Sequence, residues 1–174
     1  MAKNVIIILS IIFGVSALAM SLKNNSIKTV YIDMARVYEE FHLSVELNAE
    51  LAKTVKARKH ILDSLYKNLS FENQKVRELK ATSKETIDNL KKLEQEYLYK
   101  KNSIEKENQS QSEKCNEKIW KQINRYVESY GKMMNYSYIL GATGQGNIMY
   151  ASVEGNVTDP LILYINQQYE GNNE

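Results

Sequence analysis

The side chains that could support catalysis or bind a metal are few and far apart in this sequence. His42 and His60 are the only histidines, and their separation is too large for the two-histidine pair, one helical turn apart, that holds zinc. Cys115 is the only cysteine, which excludes an intrachain disulfide and a multi-cysteine zinc site. No histidine lies near it in sequence to activate its thiol. We therefore predict no metal, no cofactor and no enzymatic activity.

Asp33 and the glycines after residue 140 are better explained by structure than by catalysis. Asp33 ends a predicted strand and has no partner carboxylate, so we expect it to cap the following helix. Gly141, Gly144 and Gly146 resemble a phosphate-binding loop only superficially, because they lead into a predicted strand and not into a helix N-terminus. We interpret them as the turn of a β-hairpin.

Turn-forming residues are scarce, with 7 Gly and 1 Pro in 174 residues. Neither type occurs between Gly14 and Gly131, which argues against a sandwich or barrel of many short strands, because these folds need frequent turns. The gap also argues against a dinucleotide-binding domain, whose first strand-to-helix turn needs glycines. The fold class that remains is mainly α, with a small β head.

Residues 35–134 carry the pattern of a long antiparallel coiled-coil hairpin, which we call the arm. Apolar residues follow the 4,3 spacing of a coiled-coil seam, interrupted at Arg58 and Glu72. Thr82 and Glu85 have the form of a capping box, which predicts a turn near 81–84. The predicted seam residues are Leu51, Val55, Leu62, Leu65, Leu69, Val76 and Leu79 on the first helix, and Leu90, Leu93 and Tyr97 on the second.

The stretch 100–118 of the arm is unusually polar. Ile104 and Cys115 are its only apolar residues, so it cannot bury a continuous seam. We expect the arm to be locally soft there and the apolar stripe of the facing helix to be only partly covered.

Residues 28–34 and 135–174 are predicted to form the head. Strands are expected over 28–34, 136–140 and 147–151, followed by a helix capped by Thr158. If the arm contributes nothing to their core, these elements bury too little apolar area to be stable alone. We therefore predict an oligomeric β-barrel body. The residues predicted at contacts between copies are Tyr31, Ile32, Ile139, Leu140, Ile148, Met149 and Tyr150.

Residues 1–19 have the features of an export signal. Lys3 precedes an apolar stretch that ends in Ala17-Leu18-Ala19, a small-residue pattern typical of signal-peptidase cleavage. An uncleaved membrane anchor is the alternative, because the apolar stretch just reaches the length of a membrane span. Export in a bacterium implies the periplasm or the cell surface, where ATP is not available.

Charge is distributed unevenly along the chain. The arm holds 20 Lys and Arg against 16 Asp and Glu, a net charge of +4, whereas the residues after Met134 hold four acids and no Lys or Arg. The arm charge predicts weak contact with anionic lipid headgroups or acidic chains, with a solvated surface of mixed charge as the alternative. Nucleic acid is not expected as a partner, because there is no basic patch or interleaved stacking platform.

The segments on either side of the arm form a more specific pattern: 29–41 before it, and 136–142, 146–151 and 157–159 after it. Together with the export signal and the charged hairpin, this order of features resembles the Skp (OmpH) family of periplasmic chaperones. The resemblance implies a homotrimer with a small β-barrel head and three helical tentacles around a cavity. It also implies ATP-independent holding of unfolded outer-membrane proteins. The net charge of this chain is less positive than the resemblance to this family leads us to expect.

A structural coiled coil tethered to the membrane is the alternative function. It would use the uncleaved N-terminus as an anchor and the arm as a spacer or partner-binding rod. Cleavage of residues 1–19 favours the chaperone, and their retention favours the tether.

Overall fold

The computed structural model describes residues 28–78 and 83–171, in which a helical arm projects from a small head. The predicted export signal or anchor at 1–19 lies outside these residues. No helix within them is both long enough and apolar enough to cross a membrane. The elements in chain order are β1 (Thr29–Asp33), α1 (Met34–Glu40), α2 (His42–Glu78), α3 (Lys84–Met133), β2 (Tyr138–Ala142), a single 3-10 turn (Val153–Gly155) and α4 (Thr158–Gly171).

The two long helices form the predicted arm. α2 has 37 residues and α3 has 50, which correspond to helices of about 55 Å and about 75 Å. They run antiparallel, so that Tyr66 of α2 packs against Tyr97 of α3. Ser83 caps α3, because its hydroxyl accepts a hydrogen bond from the amide of Thr86. The predicted cap, Thr82, lies outside the described residues.

The first arm helix is interrupted at Phe41, where the sequence pattern gives no sign of a break. Phe41 has extended backbone angles (φ −76°, ψ 124°), which separate α1 from α2. Asn166 of α4 bridges the interruption: its side-chain amide donates to the carbonyl of Glu40 (3.0 Å) and its Oδ1 accepts from the amide of His42 (2.9 Å). A tertiary contact therefore satisfies two peptide groups that a continuous helix would have paired internally.

The head core is larger than the sequence suggested, because the base of the arm contributes to it. The expectation that the arm adds nothing to the core is wrong: Ile119 and Ile123 of α3 are almost fully buried there. The aromatic side chains Tyr126 and Tyr130 of the same helix are buried beside them. The other buried apolar residues of this core are Ile32, Val37, Phe41, Leu43, Val157, Leu161, Ile162 and Ile165.

The two strands pair in parallel, with Thr29 opposite Tyr138 and Asp33 opposite Ala142. Parallel strands need a long crossover connection, and here the whole arm is that connection. The predicted third strand at 147–151 is absent from the described chain. The loop before it closes on itself instead, because the Asn147 side chain accepts from the amide and hydroxyl of Thr143 and donates to the carbonyl of Gly141.

The end of β1 is tied to the start of two helices. Asp33 accepts hydrogen bonds from the amides of Ala35 (3.0 Å) and Arg36 (3.1 Å), which confirms its predicted role as a helix cap. Thr158 acts differently from the prediction: its hydroxyl accepts from the amide of Asp33 (2.9 Å) and donates to Asn156 Oδ1 (2.6 Å). It therefore links α4 to β1.

Replacement of Asn166 by Ala should lower the free energy of unfolding by about 1–2 kcal/mol, because two peptide groups at the Phe41 break lose their partner. The measurement is urea unfolding followed by far-UV circular dichroism. Gln167→Ala, an exposed position on the same helix, is the matched control. Equal midpoints for the two variants would contradict the assigned role.

Candidate functional site

The side chains that could support catalysis or bind a metal are dispersed over the molecule. His42 Nδ1 lies 2.8 Å from a carboxylate oxygen of Glu170 at the head, whereas His60 is exposed on the arm. Within 28–78 and 83–171, no group of three or more His, Cys, Asp or Glu side chains could hold a metal ion. The surfaces of the arm and head are therefore the candidate functional sites.

Cys115 is half-buried on the arm, where it lines a small groove with Leu47, Leu51 and Lys118. Burial raises the pKa of its thiol above the ordinary value, while the positive charge of Lys118 acts in the opposite direction. A thiol with a raised pKa carries little thiolate near neutral pH, so this environment suits an unreactive cysteine.

The predicted seam residues in the described part of the arm are only partly buried. Val55 is the most open of those described, with 38% of its surface exposed. Leu79 lies outside the described residues. The half-buried members are Leu51, Leu62, Leu65, Leu69, Val76, Leu90, Leu93 and Tyr97.

A polar layer interrupts the seam at Arg58. Its guanidinium donates to Asn108 Oδ1 (2.7 Å) and Gln111 Oε1 (3.0 Å) of α3, and it lies 3.2 Å from a carboxylate oxygen of Glu107. These partners all belong to the polar stretch 100–118. Because an arginine here pairs with particular residues of α3, the layer favours one register of the two helices at the expense of apolar burial.

One side of the arm exposes apolar side chains, of which Val55 is also a predicted seam residue and the others lie outside the seam. Val55 and Tyr66 are eleven residues apart on α2, and Ile87 and Leu98 are eleven apart on α3; each interval is about three turns, so each pair lies along one line of its helix. Both lines lie on the same rotational side of the seam, which places them on one side of an antiparallel hairpin. The four residues are 38–57% exposed. We call this set the apolar flank.

The rest of the arm surface is mixed. A groove of about 480 Å³ beside Arg58 is lined by Ser103, Lys106, Glu107 and Lys114, among other residues, whereas Ile61 and Phe71 are apolar and 47% and 57% exposed. The arm thus carries a polar groove as well as the apolar flank. The 4,3 spacing of the seam does not identify Tyr66 and Leu98 of the flank. The sequence does show Val55 and Ile87, which lie eleven residues before them.

The head residues predicted to contact other copies fall into three groups. Ile32 is buried in the core of its own chain. Tyr31, Ile139 and Ile148 are half-buried. The exposed members are Leu140, Met149 and Tyr150, with 44%, 89% and 87% of their surfaces accessible.

The family model for outer membrane protein (OmpH-like) matches residues 28–164. The chain belongs to the OmpH-like family. Its match includes both strands, the entire arm and the beginning of α4, so family membership covers the head as well as the arm.

A solved structure shares the OmpH-like fold. It is a Caulobacter crescentus protein, described as an OmpH-like outer membrane chaperone, with a TM-score of 0.62 and 15% sequence identity. The similarity covers 81% of this chain and 85% of that chain. At this identity the comparison supports the fold. No curated protein matches this chain.

The thiol of Cys115 should react with iodoacetamide more slowly than the thiol of a short unstructured cysteine peptide at pH 8. Its raised pKa leaves less thiolate, and the rate should increase as the pH rises. The measurement is the mass shift of the intact protein with time. Alkylation as fast as that of the peptide would contradict a protected position, and urea-unfolded protein provides the control.

Proposed function

We propose that this protein is an ATP-independent chaperone that holds unfolded outer-membrane proteins and prevents their aggregation. The observation that carries the proposal is the apolar flank, which exposes Val55, Tyr66, Ile87 and Leu98 on an arm that extends from the head. Exposed apolar side chains aligned on one side of a molecule are a feature of interaction surfaces. The description of the Caulobacter protein as an outer membrane chaperone adds support.

The proposed mechanism uses many weak contacts. No single position on the flank forms a deep pocket, so one contact would release a client quickly. Several contacts along one or more arms increase the effective affinity without any new chemistry. An unfolded client can satisfy them in many conformations, because it has no fixed surface that must match the arm.

We propose further that the head assembles as a homotrimer. In the described chain, β2 pairs with β1 on one side only, and unpaired strand edges readily accept a strand from another chain. Leu140, on this strand, and Met149 and Tyr150, in the segment that follows, expose apolar area beside that edge. Strands from three copies would close a small β-barrel body and bring three arms around one cavity.

The proposed location is the periplasm. Residues 1–19 supply the export signal, or an inner-membrane anchor if they remain uncleaved. ATP is absent from that compartment, which agrees with a holding mechanism driven by surface contacts alone. The net charge of +4 on each arm would add weak attraction to anionic lipid headgroups that screening by salt reduces.

Ile87→Ser/Leu98→Ser should weaken protection of a client about two- to fivefold, because two apolar contacts on the flank are lost. The measurement is light scattering after a urea-unfolded outer-membrane barrel protein is diluted out of urea in the presence of the mature chaperone. Tyr99→Ser is the control, since Tyr99 is 76% exposed but, one residue after Leu98, lies about 100° around the helix from the flank. Unchanged scattering at a several-fold excess of the unmodified protein would refute the holdase function.

Leu140→Asp should convert the trimer to monomer, because a carboxylate replaces apolar area beside the open strand edge. Mass in solution by light scattering at micromolar concentration tests this. Leu163→Asp, at an exposed position of α4, is the control and should leave the mass unchanged. A monomer mass for the unmodified protein would contradict the shared head.

A further inference from the structure

A second surface feature lies where the arm joins the head. It is a groove of about 490 Å³ whose floor is formed by Met34, Tyr38 and Trp120, with Asn116 and Thr143 at its sides. The rings of Tyr38 and Trp120 are 5.5 Å apart. We call it the neck groove.

The hydroxyl of Tyr38 is already engaged with neighbouring side chains. It donates to Asn116 Oδ1 (2.5 Å) and lies 3.5 Å from the side-chain amide nitrogen of Asn48. These contacts hold Tyr38 in place. The two rings and the Met34 thioether then supply aromatic and sulfur-containing surface to the groove.

Met34 is positioned by a glycine on the neighbouring strand. A Cβ atom at Gly141 would lie 2.3 Å from Met34 Sδ and 2.7 Å from its Cγ, so any other residue there would make this thioether move from its present position. Sulfur and aromatic faces both interact favourably with aromatic rings. The groove is thus suited to a flat aromatic side chain more than to a branched aliphatic one.

One charge borders the groove. Glu39 is exposed and lines it, and no ion pair involves this carboxylate in the part of the chain that the structure describes. Its neighbours Arg36 and Glu40 are paired with each other, so Glu39 is available to a cation from outside. An aromatic residue next to Lys or Arg would satisfy both the rings and this charge.

The neck groove lies on the same side of the arm as the apolar flank. Asn48 is seven residues before Val55, and Asn116 is eighteen residues after Leu98; both intervals are close to whole numbers of turns. Asn116, which lines the groove, and Asn48, which lies next to the Tyr38 hydroxyl, therefore lie on the same lines as the flank. A polypeptide that follows the flank toward the head reaches the groove.

We propose that the neck groove binds an aromatic side chain of an unfolded client, with an adjacent Lys or Arg of that client at Glu39. The proposal rests on the chaperone function above and names a subsite for it. Transmembrane β-strands carry aromatic residues at both ends of their apolar band, so an unfolded outer-membrane barrel protein would supply such side chains.

The groove contains its own reporter, because Trp120 is the only tryptophan of the chain. The test is a fluorescence titration of the full mature protein with the peptide acetyl-Gly-Ser-Phe-Lys-Gly-Ser-amide, which has no tryptophan. We expect a saturable change in Trp120 emission. Replacing Phe by Leu in the peptide should weaken binding about two- to tenfold.

Glu39→Gln should weaken binding of the Phe-Lys peptide about two- to fivefold, since it removes one exposed charge pair. Glu154→Gln, in the head and remote from the groove, is the matched control and should have no effect. Replacing Lys by Glu in the peptide should weaken its binding to the unmodified protein but matter less in Glu39→Gln.

Three results would overturn the proposal: equal binding of the Phe and Leu peptides, an unaltered affinity in Glu39→Gln, or a Trp120 that acrylamide cannot quench in the assembled protein. The last would mean that another copy of the chain covers the groove. The aggregation assay separates this proposal from the chaperone function. Client protection without peptide binding overturns only the subsite, whereas absent protection overturns the function, whatever the peptide does.

Discussion

The burial of Phe41 determines how the arm leaves the head. Its fully buried ring packs edge-on against Tyr126 of α3 and against Tyr169 of α4. Because the backbone at this position is extended, α1 and α2 are separate helices with different directions. Asn166 satisfies the peptide groups that the interruption exposes. The alignment of α2 along α3, and with it every surface of the arm, depends on this junction.

Local patterns were sufficient to predict the arm. The 4,3 spacing of apolar residues identified the seam, and Asp33 was correctly assigned as a helix cap because its effect involves only the next three residues. The Phe41 break was missed because it uses neither Gly nor Pro. Its stabilising partner, Asn166, is far away in sequence, and no local pattern can indicate such a contact.

The strands also show where prediction from local sequence patterns stops. Alternating apolar residues predicted the strand at 28–34 closely, but the strand predicted at 136–140 is observed two residues later, at Tyr138–Ala142, and includes Gly141, which was assigned to a hairpin turn. Alternation also does not specify which strand pairs with which, or in which direction. The segment 147–151 has the composition of a strand, yet Asn147 bonds back to Thr143 and Gly141. The apolar flank also escaped prediction, because an eleven-residue interval is a weaker sequence pattern than the 4,3 spacing of the seam. For the candidate site, the sequence therefore indicated the arm and head but not the flank or the groove.

The parallel pairing of β1 with β2 has a consequence for the order of folding. Thr29 pairs with Tyr138, 109 positions later in the chain, and closing so long a loop from an unstructured chain is slow and entropically unfavourable. The arm removes much of that cost, since a helical hairpin forms from contacts that are closer in sequence and returns its two ends to one place. The head would then be the last part to form, after the base of α3 has emerged and supplied Ile119 and Ile123. Until that moment β1 remains an unpaired apolar strand, and such strands are prone to aggregate.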